Sequence, residues 1–592
     1  MEEGRGRLEE AHRDREVARV ARRRRALASA GGLVLCSLVA ALPRVAAPAA
    51  PGPFHFTDVA ARVGLTRVLE AGRPDKDHLL DSAGAGAAFL DYDKDGRLDI
   101  YLVNGWRLEG PQVVARGQNA LYRQRPDGTF EDVTDTAGVG GEGQWGSGVA
   151  VADYDNDGWP DILVTTFGRN VLYRNLGNSR FENVAARVGI EAAGWNTAAA
   201  FFDADGDGWL DLYVAQYVDT TLDDVLKAKP SLSWRGLEQV AFGPFGLKGP
   251  DHFFRNVKGR FVDATEEAGM KDLALGFGFA VRALDVDDDG DLDLYVANDS
   301  DPNYLYRNDG RGTFKEVGVP SFSAFDANGA AQASMGIATG DVDADGILDL
   351  FVTNFSEDFS TLYKGLGGGF FSDVSRETGV GPATYRPLSW GTALADFDND
   401  GDLDLVVANG HIYPQIDRHP EVMGTYRQTN LLLENRSLRD VVPPGAAPET
   451  LFRDASDQAG PGFQILRSHR GLAVGDFDND GRLDVLVTAL DAPPELLRNE
   501  GTAGAWLTVV CEVPGGTAVP IGTKVVVTAG GRTMTRDVAA GDSYVSTHDQ
   551  RLHFGLGQAQ TAEEVLVRWP DGTRSLRTNV GARQFLVVRK GT

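Results

Sequence analysis

The chain has 592 residues, 42% hydrophobic and 24% charged, with 72 glycines, a balance that suits a large globular protein rich in tight turns and excludes intrinsic disorder. Its 85 acidic residues outweigh 58 basic ones, and the formal charge of −27 excludes non-specific attraction to nucleic acid or to an anionic membrane and makes cations the natural counterpart. Only Cys36 and Cys511 are present, so no disulfide framework supports the fold.

In chain order, residues 1–52 read first as an export segment. Arg22 to Arg25 precede an apolar run from Ala26 to Leu42, with a cleavage region near Ala46 to Ala50. The rival reading is an uncleaved signal anchor, which would be the chain's one attachment to a membrane.

Residues 53–500 carry the pattern DxDxDGxxD seven times. Positions 1, 3, 5, 7 and 9 are Asp91, Asp93, Asp95, Arg97 and Asp99 in the first copy, Asp153, Asp155, Asp157, Trp159 and Asp161 in the second, and Asp203, Asp205, Asp207, Trp209 and Asp211 in the third. They are Asp285, Asp287, Asp289, Asp291 and Asp293 in the fourth, and Asp341, Asp343, Asp345, Ile347 and Asp349 in the fifth. The last two copies supply Asp396, Asp398, Asp400, Asp402 and Asp404, then Asp476, Asp478, Asp480, Arg482 and Asp484. Each copy is flanked by β-prone runs, which predicts strand, tight loop, strand. A second signal lies between the loops: an asparagine-containing stretch such as Leu172 to Asn175, then a phenylalanine-led element starting at Phe56, Phe130, Phe181, Phe261, Phe314, Phe371 or Phe452.

Together the two signals give each repeat about four short strands, and the chain reads as all-β, a seven-bladed β-propeller followed by a smaller sandwich-like or barrel-like domain. The first phenylalanine element precedes the first aspartate loop and none follows Leu496 to Asn499, which predicts that the strand near Phe56 to Val59 completes the last blade. Uneven spacing places two insertions, around Thr220 to Pro250 and His411 to Pro448. Trp145, Trp195, Met335, Trp390 and His469 stand several positions before their loops and are expected to gather at the channel mouth, as a ligand platform or as ordinary axial packing.

Residues 501–592 hold no aspartate loop and have strand-like runs at Trp506 to Val510, Lys524 to Thr528, Val565 to Arg568 and Phe585 to Val588. Ser543, Ser546, His548 and Asp549 lie close in sequence, but proximity alone makes no catalytic arrangement, and local turn hydrogen bonding is the simpler reading.

The loops point to calcium, up to seven ions. Short carboxylates at positions 1, 3 and 5 converge when glycine at position 6 turns the chain, position 7 offers a carbonyl and position 9 closes the shell. Zinc or copper would recruit His or Cys, and magnesium a stricter octahedron. Aspartates that only cap turns remain the bland alternative, but seven copies concentrate repulsion that seven doubly charged ions would relieve, bringing the formal −27 to −13.

On the seven loops, the LYRN stretches at Leu172 to Asn175 and Leu305 to Asn308, and FEDVTDTAGV at Phe130 to Val139, the chain resembles secreted proteins related to cartilage acidic protein, with FG-GAP or VCBS repeats. Ile521-Gly522, His553 to Gly557 and Val567 to Gly572 resemble the ASPIC/UnbV domain of the same family. The resemblance implies a secreted, periplasmic or cell-surface calcium-binding scaffold whose partner is a carbohydrate, a protein or extracellular matrix, and it implies no established reaction. The alternative is an enzyme, or a component of one, that uses the channel mouth or the insertions.

Overall fold

The computed structural model describes residues 52–190, 192–229, 232–234, 237–240, 248–270, 276–437, 450–515 and 520–591. The export segment expected over residues 1–52 lies outside the described residues except for Gly52, as do residues 241–247 and 438–449 of the two insertions.

Seven four-stranded antiparallel sheets follow one another as the blades of a propeller. In the first, Ala87–Leu90, Asp99–Leu102, Ala120–Gln124 and Phe130–Asp132 pair in chain order, and the aspartate loop is the hairpin between the inner strand and the next, with Leu90 opposite Asp99. The inner strands touch in sequence order and the seventh touches the first, which closes the ring. Phe56–Asp58 pairs with Glu495–Asn499 in the seventh blade, Phe56 opposite Asn499, so the closure expected from the order of the sequence signals is present. Pairing the two distant segments covers the outer side of Glu495–Asn499, which would otherwise be a bare edge.

The tail forms two sheets around one apolar core. Ala505–Glu512 runs antiparallel to Leu552–Gly557 and parallel to Gln584–Arg589, and the order Arg532–Asp537, Lys524–Ala529, Thr561–Arg568, Arg574–Gly581 makes the second sheet. Leu507, Val509, Val525, Val527, Phe554, Val565 and Val567 share that core, and it continues into Ala199, Phe201 and Leu212 of the third blade. Propeller and tail fall in a single compact unit, residues 51–592.

The reason is a loop that the sequence did not reveal. Residues 540–550 of the tail run along the propeller axis, where the inner strands turn unpaired backbone groups toward one another and need partners. All seven blades bind it. Ala87 accepts from the Thr547 amide at 2.9 Å, Val149 donates to Val545 at 3.1 Å, Phe201 donates to Ala540 at 3.3 Å, and Ile337 exchanges two bonds of 3.0 Å with Ser543. Arg282 pairs with Asp542, the Thr392 amide donates to Ser543 Oγ at 2.8 Å, and Val474 accepts from the Asp549 amide at 2.9 Å. Tyr544 at the tip is fully buried, its ring 4.8 Å from Trp390 and 5.9 Å from Phe279, and its hydroxyl accepts from the Gly84 amide.

That plug corrects the expectation of an aromatic platform at the channel mouth. Trp145, Trp195, Met335, Trp390 and His469 are each at most 2% exposed. The four apolar ones share a core with Tyr544, Leu80 and Ile412, the last two closing the mouth from above. Arg470, also buried, lies 4.1 Å from the Trp390 ring centre. His469 Nδ1 bonds to the Asn409 carbonyl at 2.9 Å and Nε2 to Glu495 at 3.2 Å, so it serves the interior and faces no solvent. Axial packing prevails because the plug removes the cavity that a platform needs.

Candidate metal centres

The local chemistry of the aspartate loops repeats closely. Glycine at position 6 has a left-handed backbone in every copy, from Gly96 at φ 85° to Gly401 at φ 105°, and position 4 does too, as with Lys94 at 58° and Asn399 at 58°. Two left-handed residues so close wrap the chain into a cup. The position 1 carboxylate rests against its floor: in the first loop Asp91 Oδ1 accepts from the Asp95 amide at 3.0 Å and Oδ2 from Gly96 at 2.9 Å. Asp153, Asp203, Asp341, Asp396 and Asp476 do the same in theirs.

Position 9 has a second task that sequence reasoning missed. In all seven loops its Oδ2 accepts the amide of position 2, as Asp99 does from Tyr92 at 3.1 Å. Its Oδ1 accepts an amide of the third strand, as Asp161 does from Asn175 at 2.7 Å. The carboxylate therefore ties its own strand to the loop and to the third strand and still has lone pairs for an ion. Burial pushes these groups up, Asp99 to about 8 and Asp211, Asp293 and Asp349 to about 7, and the acids of the same loop push in the same direction. A divalent cation would reverse that pressure.

The strongest sign of fit is at position 3. Oδ1 of Asp93, Asp155, Asp205, Asp287, Asp343 and Asp478 is buried without a hydrogen-bond partner, the same atom in six loops, and Asp285 Oδ1 joins it in the fourth. The other oxygen faces a base on the third strand: Arg123 at 2.7 Å from Asp93, Arg174 at 2.5 Å from Asp155, Arg498 at 2.8 Å from Asp478. Arg307 and Lys364 pair likewise with Asp287 and Asp343, and Arg255 lies 3.7 Å from Asp205. A buried carboxylate oxygen left bare is costly, and the same bare atom repeated at one loop position points to a ligand. Ligand atoms of Asp91, Asp93 and Asp99 lie within 4.8 Å of one another, and the second, third and fifth loops match them, whereas in the fourth the trio is Asp285, Asp287 and Asp289.

The sixth loop departs from the others. Glu434 stands where the other blades carry a base, and the tail lies over it: Gly504 donates to the Asp398 carbonyl and Gly557 to that of Asn399, both at 2.8 Å, while His553 Nε2 meets Asn399 Oδ1 at 2.7 Å. The tail also reaches the fourth loop, with Lys524 3.1 Å from Asp285, and the seventh, with Arg551 donating to the Asp476 carbonyl at 2.8 Å.

The asparagine of the second sequence signal ties neighbouring blades. Asn256 Nδ2 donates to the Tyr154 carbonyl of the preceding blade and to Leu210 of its own, both at 2.9 Å. Asn175, Asn308, Asn435 and Asn499 reach back in the same way, and Gln124 reaches Phe477 across the closure. The fifth blade has Gly365 there. Ser546 and His548 of the tail serve the plug: the Ala87 amide donates to Ser546 Oγ at 3.2 Å and Val474 donates to His548 Nδ1 at 3.1 Å.

Comparison with known proteins follows these landmarks. FG-GAP-like repeats match residues 91–164, 153–214, 285–352 and 341–407, and the ASPIC and UnbV model matches residues 515–592. Cartilage acidic protein 1 of Mus musculus is 26% identical over 531 residues, covering 84% of this chain and 72% of that protein. The Homo sapiens protein of the same name is 26% identical over 526 residues, covering 84% and 70%. Among solved structures, an Agrocybe aegerita lectin that recognises non-reducing terminal N-acetylglucosamine overlaps 68% of this chain and 88% of its own at 17% identity and a TM-score of 0.36, too loose to bear on ligands.

Proposed function

The chain belongs to the cartilage-acidic-protein-like proteins that join FG-GAP-like repeats to an ASPIC and UnbV domain, and from there we propose that it is an extracytoplasmic interaction scaffold whose propeller is held in shape by calcium. The observation that carries the metal reading is the bare Oδ1 at position 3 in six loops. Calcium would be held by the carboxylates at positions 1, 3, 5 and 9 and by the carbonyl at position 7, in up to seven copies, because hard oxygen donors in a flexible cup suit its coordination. Bound ions supply charge neutralisation and no chemistry on a substrate.

The extracytoplasmic placement is supported by the family and by the basic-then-apolar run from Arg22 to Leu42. A carbohydrate, protein or matrix partner fits a scaffold of this family. Among the described residues the aromatic side chains of the mouth are buried, which leaves the mouth no open site for the enzyme alternative.

Metal analysis of the chelated and recalcified protein tests the assignment. Calcium should bind in several equivalents per chain and raise the midpoint of thermal unfolding, with magnesium less effective, because an ion bound only by the native state adds its binding energy to folding. Equal effects of the two ions, or none, would remove the calcium reading.

A further inference from the structure

The tail does not rest evenly on the propeller. It is fixed by the axial plug and by contacts to the fourth, sixth and seventh loops, and over the first and second loops it stands off. The gap is a wedge-shaped cavity of about 850 Å³. On the propeller side the lining apolar residues, Leu90, Leu98 and Pro160, are buried in the blades, and the exposed apolar surface comes from Val510, Phe585 and Val587 of the tail's three-stranded sheet. In that sheet Val510 lies opposite Val587 and Thr508 opposite Phe585, so these side chains share the face turned to the cavity, while Leu507 and Val509 turn into the tail core.

The wedge is braced open. Arg551 stands between the walls, donating to Asn479 Oδ1 at 2.7 Å and to the Asp476 carbonyl at 2.8 Å, paired with Asp549 and set 5.2 Å from the Phe585 ring. A cavity of this size at the junction of two folded parts, with apolar side chains on one side and charged groups at its rim, is where small ligands bind. Val587 is 44% exposed, an apolar side chain that a strand interior ordinarily covers.

Charge at the rim selects the occupant. Asp91 is engaged by two loop amides, Asp157 by Arg174 and Glu512 by Arg589. Among the described residues Lys94 forms no ion pair, and its ammonium lies 4.6 Å from the Trp159 ring centre, at the cavity edge. An ammonium without an ion pair, held on an aromatic ring at the cavity edge, is the group of the lining that can meet an anionic end of a ligand.

We propose that the wedge binds a small amphiphile with an apolar body and a single anionic group, the body against Phe585 and Val587 of the tail and the anion at Lys94. This goes beyond the calcium-scaffold reading: the tail wall belongs to no metal loop, and only Lys94, position 4 of the first loop, links the two, so loss of calcium binding without loss of probe binding would separate them.

The test uses the full folded chain in calcium, with the fluorescent probe 8-anilinonaphthalene-1-sulfonate and two competitors of equal chain length, decanoate and decyltrimethylammonium. The probe should saturate at one equivalent, and decanoate should displace it while the cationic analogue does not. Val587→Asp, at an exposed position, should weaken the probe about tenfold or more with the melting midpoint unchanged, and Lys94→Gln should weaken decanoate about tenfold, the scale of one lost charged contact. Absence of saturable binding, equal displacement by both competitors, or unchanged affinity in both variants would overturn the proposal.

Discussion

At the scale of single residues, much of the architecture rests on two side chains in each of six blades, and on one in the fifth, that each do two jobs. The aspartate at position 9 was legible as acidic and loop-bound, but its staple to the third strand was not, because that partner lies 14 residues away for Asp161 and 45 for Asp211. The recurring asparagine was visible as a pattern and opaque in purpose, since Asn256 acts on Tyr154, a carbonyl 102 positions away. Replacing Asn256 with Ala should leave two buried carbonyls short of a donor and cost about 2 kcal/mol, read by chemical denaturation. Histidines add a pH term. Burial holds His411 and His548 neutral, each with its pKa lowered to about 3. The unfolded chain would take up these protons near 6.5 and the folded chain only near 3, so their contribution is complete above pH 6.5 and is lost as pH falls below it. At pH 5 each costs about 2 kcal/mol if fully held, and His548→Gln, which can still accept from Val474, should make the loss of stability between pH 7 and 5 shallower.

At the scale of elements, strand, loop and blade boundaries were readable because the loop motif recurs and each copy must sit between two paired strands. The insertions were located by spacing alone, and spacing carries no fold. Thus the Trp106–Glu109 and Gln112–Arg116 hairpin of the first blade was not anticipated. The join between the fourth and fifth blades is the weak seam, because Gly365 has no side chain to reach back where six other blades carry Asn or Gln. Hydrogen exchange in Ile337–Gly340 and Asp349–Val352 should therefore be faster than in the matching strands of the sixth blade, and introducing no change there while deleting residues 54–60 should instead loosen Val485 to Thr488, whose sheet loses Phe56 and Thr57. Equal exchange rates in the two blades would show that the seam is closed by other contacts.

At the scale of the whole molecule, propeller and tail have different sequence signatures and separate sheets, and they pack into one compact unit. Nothing in Gly541 to Thr547 announces a plug: its binding surface is the backbone edge of seven strands, which no residue pattern encodes, and the backbone at Ser543 and Val545 is left-handed, at φ 59° and 49°, without glycine. Tyr544→Ala should remove a fully buried ring from between Trp390 and Phe279 and destabilise the whole unit by about 3–5 kcal/mol, seen as one lowered melting transition for both parts. Two separate transitions, with the propeller unmoved, would show that the plug is decorative.

The plug also sets a timetable. Phe56 must find Asn499, and Ala88 must find Thr547, before the ring has both its last strand and its axis, so the decisive contacts span more than 400 positions in each case. Long-range closure of this kind makes folding slow and leaves blade edges bare while it waits. A growing chain can assemble individual blades as they emerge, but the ring stays unlocked until residues beyond 540 have been made. The calcium cups and the stopper thus act at different times: ions can steady each blade on its own, and only the last loop can bolt the circle shut.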